Sequence, residues 1–124
     1  MQNKKTLLIV DDDPQIRKYL YLLFKKEKIA VMEAADGNEC IALCEKCRPS
    51  VLLIDIVMPE KDGVTTIQEV KSRYGKTKII AISGGYVFNA ETYLDEAKNV
   101  GADAVFTKPL NRSALVSTVR RYMV

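Results

Sequence analysis

No apolar run in the sequence approaches the roughly 18 residues that a membrane span requires, and Met1 to Lys5 lack the layout of a signal peptide. No membrane is expected as a partner, and a cytoplasmic location is. Low-complexity tracts and Pro/Gly-rich stretches are missing as well, which argues against disorder. There is little excess of either charge: 19 Lys and Arg against 16 Asp and Glu leave a net +3. Basic residues such as Lys4, Lys5, Arg17, Lys18, Lys25, Lys26, Arg120 and Arg121 are scattered rather than gathered into one block, so direct nucleic acid binding is not indicated. Lys25-Lys26 and Arg120-Arg121 fall late in predicted helices, where cations oppose the negative end of the helix dipole. The three cysteines, Cys40, Cys44 and Cys47, are odd in number and lie within eight residues, a pattern unlike a secreted disulfide framework. Reduced thiols are expected.

What is present is the makeup of one globular domain, spanning 1–124, with 48% hydrophobic and 28% charged residues. Short apolar runs alternate with longer segments of helical period, the pattern of repeated βα units. The strand candidates are Thr6 to Val10, Ala30 to Ala34, Val51 to Ile54, Lys78 to Ile82 and Ala104 to Thr107. Several are apolar without alternation, as parallel strands covered on both faces must be. Asp13 and Pro14 open a first helix whose stripe is Ile16, Leu20, Leu23 and Phe24. Asp36-Gly37-Asn38-Glu39 has the spacing of a capping box and opens a second. A third runs from about Val64 to Tyr74 with Val64, Ile67 and Val70 inward, and a fourth covers about Glu91 to Asn99 and stops at Gly101. Asn111 caps the last, in which Leu115 and Val119 face the sheet and which ends at about Arg121. Right-handed crossovers then give a three-layer α/β sandwich with all the loops that follow strands at one edge, where ligands of open α/β sheets bind.

The residues at that edge carry the chemistry. Asp11, Asp12 and Asp13 follow the first strand, Asp55 closes the third, Ser83 the fourth, and Lys108, followed by Pro109, the fifth. Singly each is a common loop, cap or solvated residue. Jointly, carboxylates converging on one edge repel unless something positive lies between them. Hard oxygen ligands suit Mg²⁺, which takes one or two carboxylates and leaves positions for water and a phosphate oxygen. Lys108 can pair with a second phosphoryl oxygen, and Asp55, ionised at neutral pH, can attack phosphorus to form a mixed anhydride.

Val10-Asp11-Asp12, then Leu53 to Gly63 (Leu-Ile-Asp-Ile-Val-Met-Pro-Glu-Lys-Asp-Gly), then Ile82-Ser83-Gly84, Gly101-Ala102-Asp103 and Thr107-Lys108-Pro109 together resemble the receiver domain of bacterial two-component response regulators, over nearly the whole length. The resemblance implies a doubly wound, flavodoxin-like (βα)5 fold, a five-stranded parallel sheet in the order 2-1-3-4-5. It implies that Asp12, Asp55 and the backbone carbonyl of Val57 ligate Mg²⁺, with Asp11 acting partly through water and Mn²⁺ able to substitute. It further implies that Asp55 is the phosphoacceptor, receiving its phosphoryl group from a sensor histidine kinase or a histidine phosphotransfer protein. The chain has no His and so cannot itself be the phosphohistidine donor. Ser83 and Phe106 would form a switch, the hydroxyl moving to the new phosphoryl group and the ring turning inward, although a strand aromatic packed in the core is an equally ordinary reading of Phe106. Lys108-Pro109 matches the family's cis peptide.

Two departures stand out. Gly84-Gly85 replaces the small residue usual after the switch hydroxyl, and the segment Tyr86 to Ala90 is longer than usual, so a mobile loop is expected there. Val57 and Gly85 flank the phosphorylation site without indicating how long the phosphoryl group would last. No linker or effector domain is expected after the last helix. A stand-alone receiver is favoured over a fragment, and it would signal to a downstream protein or effector domain through its fourth helix, fifth strand and fifth helix. The expected role is that of a signalling phosphoacceptor, with at most self-phosphorylation and self-dephosphorylation as enzymatic activity.

Rival readings exist. Leu8 to Asp13 is similar to the nucleophile strand of haloacid dehalogenase-like phosphatases, with Asp11 as nucleophile and Asp13 as acid/base, but that reading leaves the residues after Asp55 unexplained. A flavin carrier shares the fold, but strand-end carboxylates would repel an FMN phosphate. A pseudo-receiver that no longer accepts phosphate sits poorly with an intact Asp11, Asp12, Asp55, Ser83 and Lys108. The Cys40-Cys44-Cys47 spacing is similar to the cluster motif of radical SAM enzymes, against which stands the shared helical face expected at offsets of four and seven.

Overall fold

The computed structural model of the chain describes residues 5–56, 63–83, 95 and 97–124. Its strands are β1 (Thr6–Val10), β2 (Ala30–Ala34), β3 (Val51–Asp55), β4 (Lys78–Ser83) and β5 (Ala104–Thr107). They form one sheet in the order β2-β1-β3-β4-β5, and every neighbouring pair is parallel. The helices are α1 (Pro14–Lys26), α2 (Gly37–Cys47), α3 (Gly63–Arg73) and a C-terminal helix (Arg112–Met123). Residues 97–99 are helical too, consistent with the expected fourth helix, whose start at Glu91 lies outside the described residues.

The continuous apolar strands are explained by what covers them. Leu8, Val10, Leu52, Ile54, Ile79 and Ala81 pack with Cys40, Cys44, Ile67 and Val70 from α2 and α3. Their alternate neighbours Leu7, Ile9, Val51, Leu53, Ile80 and Ile82 pack on the other face with Leu20, Phe24, Leu115 and Val119 from α1 and the C-terminal helix. Because successive side chains of a strand point to opposite faces, a strand buried on both must be apolar throughout.

Local signals set the helix starts. The Asp13 carboxylate accepts from the N–H groups of Gln15 and Ile16 at 2.9 and 3.4 Å. Asp36 accepts from Glu39 N–H at 2.9 Å, while the Glu39 carboxylate reaches back to the N–H of Ala35 rather than to that of the cap itself. Asn111 accepts from Ala114 N–H at 3.0 Å. Cys40 and Cys44 are fully buried and Cys47 is exposed, so the shared packing face holds for two of the three thiols.

Two boundaries differ from the sequence reading in a way that matters for the site. β3 and β4 each run one residue further, making Asp55 and Ser83 ladder residues, with Asp55 paired to Ile82 and Ser83 to Thr107. The ladder continues because Ile56 N–H donates to Ile82 O at 3.0 Å and Lys108 N–H to Ser83 O at 2.8 Å. The C-terminal helix likewise continues past Arg121 to Met123.

Candidate functional site

The carboxyl ends of β1, β3, β4 and β5 bring Asp11, Asp12, Asp55, Ser83 and Lys108 to one edge of the sheet. Asp11 is 3% exposed and Asp55 8% exposed, whereas Asp12 is open to solvent. One carboxylate oxygen from each of the three lies within 4.8 Å of the others. Ligand oxygens around one ion at about 2.1 Å lie about 3 Å apart when adjacent and about 4 Å when opposite, so the trio is spaced to share a small hard cation with only slight adjustment.

Electrostatics point the same way. Burial pushes the Asp11 carboxyl up to about 6 from its ordinary 3.8, and the negative charges of Asp55 and Asp12 push in the same direction. The Asp13 N–H, 2.9 Å from Asp11 Oδ1, and the Lys108 ammonium oppose this without cancelling it. A carboxyl held that far up is one whose surroundings want more positive charge. Lys108 Nζ supplies part of it, 3.2 Å from Asp55 Oδ2 and 3.7 Å from Asp11 Oδ2. The Lys108-Pro109 peptide is cis, as the resemblance implied.

Ser83 is fully buried, and its Oγ has no hydrogen-bond partner among the described residues. A buried hydroxyl without a partner costs roughly 1–3 kcal/mol. Phe106, on the neighbouring strand and paired with Ile82, is half-buried against the cluster beneath α1 and the C-terminal helix. The Val57 carbonyl, residues 58–62 and the Gly84-Gly85 loop through Ala90 lie outside the described residues.

Three supporting residues escaped the sequence reading of the site. Arg17, on α1, donates from Nη1 to the backbone carbonyl of Asp11 at 2.6 Å while its Nε pairs with Glu33 at 3.2 Å, tying the carboxylate loop to helix and sheet. Gly63 starts α3 against the end of β3, where an added Cβ would lie 2.2 Å from Ile56 Cα and 2.7 Å from Asp55 O. Only glycine lets the helix approach the backbone of Asp55 so closely. Asp103 is a positioning residue further away: its Oδ2 accepts from Ile79 N–H at 2.8 Å and from Lys71 Nζ at 3.1 Å, fixing the start of β4. Gly63 and Asp103 stand inside the quoted motifs, but their work is visible only as contacts. For Arg17 the one available signal was its place a turn into the helix after Asp11-Asp12-Asp13.

A doubly wound parallel sheet with two buried carboxylates and a lysine at its carboxyl edge defines a class of α/β protein whose strand-end site could hold a metal ion. Within that class the chain belongs to the response regulator receiver domain family, whose model matches residues 7–120. It is 29% identical over 121 residues to the transcriptional regulatory protein DegU of Brevibacillus brevis, an alignment covering 96% of this chain and 50% of that protein. It is also 29% identical over 123 residues to sporulation initiation phosphotransferase F of Bacillus subtilis, covering 99% of this chain and 96% of the relative. Among solved structures, the CheY-like response regulator receiver domain protein of Methanospirillum hungatei matches with a TM-score of 0.87 at 28% identity, covering 96% of this chain and 93% of that one. The chain thus spans half of one relative and nearly all of another. It is a phospho-accepting receiver of two-component signalling. With the family shown, the phosphatase and flavin-carrier readings fall away.

Proposed function

We propose that Asp55 is the residue that takes the phosphoryl group, that Asp11, Asp12 and Asp55 hold Mg²⁺ together with the Val57 carbonyl, and that Lys108 and Ser83 receive the phosphoryl oxygens. The observation that carries this reading is the Lys108 ammonium lying 3.2 Å from Asp55 and 3.7 Å from Asp11 inside a group of carboxylates spaced to share a cation.

An Asp55 carboxylate oxygen attacks phosphorus, the bond from phosphorus to the donor's imidazole nitrogen breaks, and an acyl phosphate remains on Asp55. The donor is a phosphohistidine of a sensor kinase or phosphotransfer protein, since this chain has no His. A bound Mg²⁺ or Mn²⁺ supplies the positive charge that lets one anion approach another. Lys108, already against Asp55, neutralises a second oxygen without having to travel. The Ser83 hydroxyl, buried and unpartnered among the described residues, gains an acceptor when a phosphoryl oxygen arrives. Its movement would free space toward β5, into which the half-buried Phe106 ring turns, converting a local charge change into a new surface for a downstream partner. Enzymatic activity is confined to the chain's own phosphorylation and dephosphorylation.

Acetyl phosphate with Mg²⁺, read by intact-protein mass spectrometry, tests the assignment. The wild type is expected to gain one phosphoryl group and Asp55→Asn none. Phosphorylation of the Asp55→Asn variant to the wild-type extent would reassign the acceptor. Failure of the wild type to respond to either acetyl phosphate or beryllofluoride would make the chain a receiver that no longer accepts phosphate.

A further inference from the structure

At the opposite end of the sheet from Asp55, where the parallel strands begin, the chain forms a cleft of about 1070 Å³. Its walls come from the start of β1, the α2–β3 and α3–β4 connections and the end of the C-terminal helix. Lys5, Lys46, Arg48, Arg73, Lys76 and Lys78 all line it, and among the described residues no Asp or Glu does. Six cations in one recess, in a chain whose net charge is only +3, is a concentration that the linear sequence conceals.

Part of this charge has a local explanation. Lys46 and Arg73 lie in the last turns of α2 and α3, where cations oppose the helix dipole. Arg73 is also paired with Glu69 at 3.0 Å and Glu45 at 3.5 Å. Lys5, Lys76 and Lys78 lie outside the helices and form no salt bridge among the described residues. The Arg48 and Arg73 guanidinium carbons lie 4.8 and 5.3 Å from the centre of the Tyr74 ring, so one aromatic ring holds two cations near it. Lys78 is similarly placed against Tyr122 at 6.0 Å. Apart from the two carboxylates on Arg73, these like charges have no salt-bridge partner among the described residues, and together they raise the local potential and attract an anion.

We infer that this cleft binds a small oligophosphate, a ligand with several adjacent phosphate groups such as a free polyphosphate chain or the phosphate tail of a nucleotide. A single phosphate carries too little charge to balance six cations. A longer chain of phosphates meets lysines and guanidinium groups from three separate segments of the polypeptide. Single-stranded nucleic acid fits less well: the cations sit in a recess rather than along a track, and the Tyr74 ring, only 8% exposed, is unavailable for stacking on a base. The inference does not depend on the assignment of Asp55, which lies at the other end of the strands.

The test uses the whole chain without Mg²⁺, which would otherwise chelate the ligand, at about 20 mM ionic strength, where the screening length is about 20 Å. Isothermal titration with tripolyphosphate is expected to show saturable binding. Lys76→Gln/Lys78→Gln should weaken it on the order of tenfold or more, since charge-assisted contacts are the strong ones. Lys18→Gln/Lys25→Gln, which removes the same charge from exposed positions on α1, should leave it unchanged. Cys47 lines the cleft and is exposed while Cys40 and Cys44 are buried, so its alkylation by iodoacetamide reports occupancy in the unaltered protein. Tripolyphosphate should slow that reaction several-fold, and inorganic phosphate at the same concentration should not. Equal affinity for ATP and tripolyphosphate supports recognition of the phosphate chain alone, and tighter ATP binding supports a nucleotide as the source. Absence of saturable binding, equal loss in both double variants, or unprotected Cys47 overturns the inference. Tighter binding of a single-stranded oligonucleotide than of tripolyphosphate at equal phosphate overturns it in favour of nucleic acid.

Discussion

Replacing Asp11 with Asn should make the metal-free protein more stable, although the residue is buried and hydrogen-bonded. Its carboxyl is held up to about 6 against an ordinary 3.8, so the folded chain keeps a proton between those values that the unfolded chain has released. Stability therefore falls as pH rises through that window. The contribution is fully favourable below pH 3.8 and is lost by the time pH has passed about 6. At about 1.4 kcal/mol per pH unit the gap amounts to about 3 kcal/mol of destabilisation at pH 7.5. No discount for solvent screening applies, because the residue is 3% exposed. Asn keeps the oxygen that accepts from Asp13 N–H and sheds the charge. Its amide must still be buried, which reduces the expected gain to about 1–3 kcal/mol. In urea at pH 7.5 with EDTA, the Asp11→Asn midpoint should rise by roughly 0.5–2 M for a slope of about 1.5 kcal/mol/M. Adding Mg²⁺ should narrow or reverse the order, because a ligand at 100 times its Kd stabilises the folded state by about 2.7 kcal/mol and the wild type binds it better. The pH-dependent loss between about 4 and 6 should be shallower in the variant than in the wild type. An Asp11→Asn protein less stable than the wild type in EDTA, or Mg²⁺ stabilising both equally, would refute the reasoning.

Other perturbations separate chemistry from support. Lys108→Ala removes the ammonium shared by Asp55 and Asp11 and should slow phosphorylation by acetyl phosphate about tenfold or more, followed by mass spectrometry over time. Gly63→Ala forces a methyl group into the backbone at Ile56 and Asp55 and should cost at least about 2 kcal/mol in urea denaturation, with Mg²⁺ affinity, read by titration calorimetry, falling in the same protein. Asp103→Ala leaves the Ile79 N–H without its acceptor and Lys71 without its carboxylate, and should cost about 1–3 kcal/mol while phosphorylation of the folded fraction persists.

Strand positions and helix caps were legible because they rest on near-neighbour chemistry. Asp13, Asp36 and Asn111 cap the helices they precede, and runs such as Leu7 to Val10 are apolar because both faces of the sheet are covered. The strand ends were legible to within one residue. Asp55 and Ser83 were read as lying just beyond β3 and β4, yet hydrogen bonds to the neighbouring strands hold both inside the ladder. The basic residues were read as scattered along the chain, and that reading missed the cleft that gathers Lys5, Lys46, Arg48, Arg73, Lys76 and Lys78.

The sequence by itself determined the alternation of strands and helices, the edge at which Asp11, Asp12, Asp55, Ser83 and Lys108 collect, and the family. The first two follow from periodicity and from residue types at strand ends, and the family from the resemblance of the motifs there; all are local properties of the chain. Only the tertiary structure decided that Asp11 is buried enough to be held near 6, that Lys108 lies between two carboxylates, that Gly63 lies against the backbone of Asp55, and that six cations share a recess at the far pole. Each is a matter of distance between residues far apart in sequence. Coulomb interaction, desolvation and steric contact depend on that distance and on what fills the space between.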